Sequence, residues 1–132
     1  MALLIDADVI IQAERKVLDL DAWLRAHPDE GIKMAAITVA ELWRSVERAV
    51  GSHRASRQNF LQRALLAFDI VPYAEMTAVQ HARLWADMEA SGQRTNPHDL
   101  ILAATALEYG AALVTCNAKR FAAVPGLTVL MP

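Results

Sequence analysis

Ala2-Leu3-Leu4-Ile5-Asp6-Ala7-Asp8-Val9-Ile10 sets two carboxylates into an otherwise apolar run at the start of the chain. A short, uninterrupted apolar run reads as a strand buried on both faces, the pattern of a parallel sheet covered by helices. Asp6 then stands where that strand ends. In open α/β sheets, ligand sites form outside the carboxyl ends of the strands, which makes Asp6 the first candidate for chemistry. Asp8 reads first as the cap of a short helix running to about Arg15, its carboxylate accepting from free N–H groups.

Four more segments read as strands, at 32–37, 69–72, 111–115 and 128–130, and Pro72 suits the third to a sheet edge. Helical signals alternate with them, as in an α/β domain. A helix starting near Asp19 to Asp21 carries Leu20, Trp23 and Leu24. Thr38-Val39-Ala40-Glu41 matches a capping box, in which hydroxyl and carboxylate each satisfy a backbone N–H at a helix start. That gives Glu41 a structural role. In the helix it opens, Val39, Leu42, Trp43, Val46 and Val50 share one face, which puts Glu41 on the polar side. Its position just after a parallel strand nevertheless brings it to the same sheet edge as Asp6. After a polar turn at 51–53, Phe60, Leu61, Ala64, Leu65 and Phe68 recur at helical spacing. Arg48, Arg54, Arg57 and Arg63 make the other face basic, more commonly a solvated face than one bank of a polyanion groove. Over 77–89, Val79, His81, Ala82, Leu84, Trp85 and Met88 mark a long amphipathic helix in which His81 reads as structural.

The second informative stretch is Asn96-Pro97-His98-Asp99, followed by Leu100-Ile101-Leu102-Ala103-Ala104. Asn as N-cap and Pro at the first helical position are start signals. The helix is apolar nearly all round, so a carboxylate in its first turn needs a partner. It ends at Gly110 and leads at once into the fourth strand, and a right-handed crossover points Asp99 toward Asp6. Thr115-Cys116-Asn117 closes that strand at the same edge, where Thr115 and Asn117 offer oxygens to a metal or its water. Cys116 lacks a nearby base and reads as filler. Lys119 and Arg120 add two cations just beyond.

At 132 residues the chain is about one domain. Hydrophobic residues make up 55% and charged residues 21%, a globular balance, and no apolar run approaches a membrane span. A single cysteine excludes a disulfide framework, and the N-terminus has no secretory signal, so a cytoplasmic location is expected. The formal charge of -2 argues against a broadly basic nucleic-acid binder while leaving room for a local basic groove.

Together, Leu4-Ile5-Asp6-Ala7-Asp8-Val9-Ile10, Thr38-Val39-Ala40-Glu41-Leu42, Pro97-His98-Asp99-Leu100-Ile101-Leu102 and Thr115-Cys116-Asn117 resemble the PIN-domain family, specifically the VapC toxins of bacterial toxin-antitoxin pairs. The resemblance spans the whole chain, 1–132, as one PIN domain. It implies a single-domain α/β/α sandwich with a mainly parallel five-stranded sheet. The implied activity is Mg²⁺-dependent cleavage of RNA, with Mn²⁺ an alternative, blocked by a cognate VapB-type antitoxin. Asp6, Glu41 and Asp99 fall on the family's three acidic positions as catalytic and metal-holding residues. Asn117 departs from the pattern, standing where many relatives carry a fourth acid, and Asp8 adds a carboxylate whose role the family leaves open. Thr115, Asp8 and Arg120 are accessory. The family's habit of dimerising and the apolar surplus at Trp43 and Trp85 lead to an expected homodimer. Neutralising Asp6 or Asp99 is expected to abolish cleavage and leave melting equal or higher. Three rival readings are a PIN fold kept only as a binding module, a phosphate-receiver domain, whose phospho-accepting aspartate should follow the third strand whereas Asp69 precedes it, and a haloacid-dehalogenase-like phosphatase using Asp6 and Asp8. The last lacks its downstream acidic motif.

Overall fold

Leu3, Leu4 and Ile5 form β1 (Leu3–Ile5), and their side chains divide between two separate cores. Leu4 enters one core, while Leu3 and Ile5 enter the other, as the two-residue period of a strand requires. The computed structural model describes residues 1–28 and 31–132. In it, β1 is the middle of a five-stranded sheet with β2 (Ile32–Ala35), β3 (Asp69–Val71), β4 (Ala112–Val114) and β5 (Val129–Leu130). The order is β3-β2-β1-β4-β5, and every pairing is parallel. Pro72 follows the β3 edge strand, as its missing N–H demands.

Helices cover both faces, which is why β1 and β4 are wholly apolar and buried, while Lys33 of β2 is only partly buried and reaches Asp69 at the sheet edge, 3.0 Å away. On one side, Leu3, Ile5, Met34, Ala112 and Val114 meet α1 (Ala7–Glu14), α3 (Ala36–Arg48) and α4 (Gly51–Leu65), with α2 (Leu20–Arg25) against the rim. On the other, Leu4, Ala35, Val71 and Leu113 meet α5 (Glu75–Ala90) and α6 (Pro97–Glu108), joined by Phe121 from a 3₁₀ turn over Ala118–Phe121. Gly110, at φ +59, takes the left-handed conformation that ends α6 and turns the chain into β4.

Several expectations need correction. Asp8 is not the cap of α1: Asp6 is, its Oδ1 accepting from the Ala7 N–H at 2.7 Å. The second strand stops at Ala35, and α3 begins at Ala36 with no side-chain cap. The capping box of Thr38 and Glu41 therefore does not form, and Thr38 is fully buried inside the first turn. A short apolar run does not distinguish strand from helix, and the run at 32–37 is split between the two. Residues 51–53 are the first residues of α4 instead of a turn, and Val50 is exposed between α3 and α4. Along α5 the buried line is Thr77, Leu84 and Met88, leaving Val79 and Trp85 exposed.

Candidate active site

The strand order places the reversal of chain direction across the sheet between β1 and β4. β2 and β3 follow β1 on one side, whereas β4 and β5 lie on the other, so a crevice opens at the carboxyl ends of β1 and β4. Asp6 ends β1 there, its own N–H bonded to the Val114 carbonyl at 2.9 Å. Thr115 follows β4, and its hydroxyl lies 2.8 Å from Asp6 Oδ2 and 3.1 Å from Asp8 Oδ2. Both Asp6 and Thr115 are buried.

Asp99 comes from the first turn of α6, which Asn96 caps through a bond from the His98 N–H and Pro97 starts. It is buried. Its partner is Arg120, whose Nε donates to Asp99 Oδ2 at 3.1 Å while Nη2 donates to Oδ1. The same guanidinium reaches Asp6 Oδ2 through Nη1 at 2.9 Å and stands 3.6 Å from Asp8 Oδ2. One cation thus sits among three carboxylates. Glu41, on α3, is partly exposed and faces His98 Nδ1 at 3.8 Å. Asp8 turns its other oxygen to the Cys116 N–H at 3.1 Å, tying α1 to the end of β4. Asn117 lies exposed at the start of the 3₁₀ turn and joins the cluster through its backbone, whose N–H donates to Thr115 Oγ1 at 3.1 Å.

Burial pushes the Asp6 carboxyl above its ordinary range, and the nearby Asp8 charge adds to this. Arg120, Thr115 and the Ala7 N–H pull it back only in part. Glu41 is raised by burial and by the charges of Asp6 and Asp99, against the pull of His98 and Arg120. Arg120 is held still more firmly protonated than a free guanidinium, chiefly by its hydrogen bonds to Asp99. Burial, then the charges of Asp8 and Asp6, raise the Cys116 thiol, which leaves it a poor nucleophile. Four carboxylates act on one another here against one guanidinium, so the crevice keeps a surplus of negative charge.

Asp6, Glu41 and Asp99 supply hard oxygen donors, the chemistry that suits Mg²⁺ or Mn²⁺. Thr38, one turn before Glu41 on α3, adds a buried hydroxyl with no hydrogen-bond partner among the described residues. As the side chains stand, however, no three acidic, histidine or cysteine groups among the described residues converge on a cation position. The guanidinium occupies the space between Asp6 and Asp99. Sequence reasoning placed Arg120 only as an accessory cation. Its bonds to Asp6 and Asp99 span 114 and 21 residues, and nothing local to it signals them. His98 beside Glu41 was missed altogether, although it adjoins Asp99 in the same start signal.

Of the basic residues, Arg54 is paired with Glu47 at 3.2 Å and Arg57 with Glu14 at 3.6 Å, so two of the expected row of arginines are locally neutralised. A separate groove of about 670 Å³ runs between α2 and α4 past Leu20, Leu24, Phe60 and Phe68, with Lys16, Asp19, Asp21 and Arg63 also lining it, and shares no residue with the Asp6–Asp99 cluster. Trp85 is 54% exposed, with His81 stacked on it and Tyr73 hydrogen-bonded to His81 at 2.8 Å. No helix among the described residues is long and apolar enough to cross a membrane.

A family model described as PIN domain matches residues 3–127. Ribonuclease VapC1 of Rickettsia felis is 29% identical over 131 residues, covering 98% of this chain and 96% of that protein. VapC ribonuclease Y4jK of Sinorhizobium fredii is 31% identical over 92% of this chain and 86% of its own length. Among solved structures, VapBC2 of Rickettsia felis bound to a promoter DNA fragment superposes with a TM-score of 0.91 at 22% identity, over 100% of this chain and 99% of that one. VapBC-5 of Mycobacterium tuberculosis gives 0.76 at 28% identity, over 99% and 98%.

Proposed function

This chain belongs to the PIN-domain family, and from that premise we propose that it is a divalent-metal-dependent endoribonuclease, the toxin of a toxin-antitoxin pair. The observation that carries the reading is the meeting of Asp6 and Asp99, far apart in sequence, on one guanidinium at the sheet's switch point, with Glu41 beside them. The relatives named as VapC ribonucleases support the activity and substrate, and the structural neighbours named as VapBC support a VapB-type antitoxin as partner. A homodimer and a cytoplasmic location complete the reading. The phosphatase alternative would need Asp8 free as an acid, whereas Asp8 is engaged with Cys116 and Thr115.

Asp6, Asp99 and Glu41 would hold the cation, with Asn117 a further oxygen donor at the rim, and Mg²⁺ or Mn²⁺ suits that donor set. Such an ion supplies charge neutralisation at the scissile phosphate and easier ionisation of water at neutral pH. The chain's residues do the rest. Thr115 and the Ala7 N–H fix both oxygens of Asp6, so this carboxylate meets its ligand without reorganising. Glu41 is the carboxylate least engaged by Arg120 and is partly exposed, which suits it to take a proton from an attacking water. Asp8 adds negative charge that strengthens cation binding to Asp6.

The test is cleavage of RNA by the purified chain with Mg²⁺ or Mn²⁺ and with a chelator, beside Asp6→Asn. Cleavage that needs metal and falls by about a hundredfold or more in a folded Asp6→Asn protein is the expected result. Cleavage indifferent to chelator, or retained in the variant, would remove the reading.

A further inference from the structure

We propose that Arg120 is a built-in competitor for the cation position, bridging Asp6 and Asp99 until a divalent metal displaces its guanidinium from the crevice. The inference rests on the metal-dependent reading of the same carboxylates and concerns how metal gains access to them.

Three observations carry it. The guanidinium bonds Asp99 through Nε and Nη2 and Asp6 through Nη1, so it spans the two carboxylates that would have to share an ion. A divalent cation between them would meet a fixed positive charge at contact distance, and this repulsion is strongest where water is excluded. The two cations therefore exclude each other. Second, no three acidic, histidine or cysteine groups among the described residues converge on a cation position, and the guanidinium lies between Asp6 and Asp99. Third, Arg120 can leave. It sits on a short 3₁₀ turn anchored by buried Phe121, its own side chain is 29% exposed, and its guanidinium, carried on a flexible stem, lies 5.0 Å from the centre of the Phe121 ring, a contact the head gives up when it moves out. A rotation of that flexible stem carries the head into solvent while Phe121 holds the backbone.

The arrangement has two consequences. Without metal, Arg120 offsets part of the repulsion among Asp6, Asp8 and Asp99, so the fold tolerates an empty crevice. With metal bound, the displaced guanidinium stands at the rim with its planar fork free, a geometry that pairs with a phosphate. Arg120 is a positioning residue in this scheme, opposing metal and favouring RNA.

The experiment compares the full-length wild type with Arg120→Met, which keeps much of the stem and removes the charge. Mn²⁺ is titrated by calorimetry into each without RNA. The variant should bind Mn²⁺ about tenfold more tightly or better, which corresponds to a displaced-arginine population of about one in ten or less in the wild type. In RNA cleavage it should need less metal yet show a higher KM for RNA, a split that general loosening of the fold would not produce. Equal or weaker Mn²⁺ binding by a folded variant overturns the proposal. Should Arg120→Met fail to fold, the wild type still decides the matter through the Arg120 Nε–H resonance during a Mg²⁺ titration. Loss of its hydrogen-bonded shift at saturation supports displacement, and an unchanged resonance overturns it. A tighter-binding variant in which neither protein cleaves RNA would sink the ribonuclease reading and leave the competition standing. No uptake of Mn²⁺ by either protein would sink both.

Discussion

Thr115 and Asp6 meet across the β1–β4 pairing, the buried hydroxyl donating to Oδ2 of a buried carboxylate at 2.8 Å. Thr115→Val keeps the shape and removes the donor. It should lower stability by about 1–3 kcal/mol, since the carboxylate loses a charge-assisted bond with no water to replace it. The Thr115 bond lowers the Asp6 pKa, so its loss pushes that carboxyl further up and moves the acid limb of RNA cleavage to higher pH. Urea melts and a pH-rate profile read both effects. An unchanged profile would show that the hydroxyl does not hold Asp6.

Asp6 and Asp99 part company on neutralisation, although from sequence both were expected to melt equal or higher. The folded pKa of Asp6 is raised, by burial first and Asp8 second, above an ordinary value of 3.8. A carboxyl with a raised pKa favours the fold while protonated, and that advantage is lost as pH climbs from the ordinary value through the folded one. Asp6→Asn removes this decline. Its melting temperature, relative to wild type, should therefore rise between acid and neutral pH, with Arg120 still held by Asp99. Asp99→Asn instead takes a charged acceptor from the fork and should melt lower at neutral pH. Parallel melts from pH 4 to pH 8 test the contrast. Two curves that track each other would refute it.

Asp8 acts on the crevice through charge. Its carboxylate raises Asp6, so Asp8→Asn should lower the Asp6 pKa and shift the acid limb of cleavage to lower pH. The amide oxygen can still accept from the Cys116 N–H, and stability should stay within about 1 kcal/mol of wild type. A shift in the opposite direction, or none, would show that Asp8 does not act on Asp6 through its charge.

What was legible in the sequence was whatever local pattern dictates. Leu3-Leu4-Ile5 announced a two-faced strand because both faces are covered, and Asn96-Pro97 announced the helix that delivers Asp99. Thr38-x-x-Glu41 misled because the cap pattern is short, whereas the phase of α3 is set by Thr38, Leu42 and Val46 facing the core four residues apart. Val79 misled because α5 buries only the line through Thr77, Leu84 and Met88, and a wider apolar stripe does not imply a wider contact, whereas Trp85 stands exposed as the apolar surplus requires. Arg120 was legible as a charge and not as a position, since its partners arrive from β1 and α6 only once the sheet has formed.

Asn117 offers a test that the rest of the cluster does not. Its backbone N–H is fixed on Thr115, and its side chain is exposed at the edge of the negative crevice. An aspartate there adds charge at the rim without entering the buried network, so its effects travel through partly screened solvent. Mn²⁺ affinity should rise, though by less than removal of Arg120 produces, because an exposed charge attracts the ion without clearing its position. The metal-free protein should melt slightly lower, since a further carboxylate joins Asp6, Asp8 and Asp99. Added Mn²⁺ should recover that loss in proportion to the logarithm of its concentration over its dissociation constant, as for any ligand that binds only the folded state. Salt supplies the control. If the aspartate acts through space, its gain in affinity should fade as ionic strength rises toward 1 M, where the screening length is about 3 Å. A gain that survives high salt would instead make residue 117 a direct ligand, and no gain at low salt would remove it from the metal site.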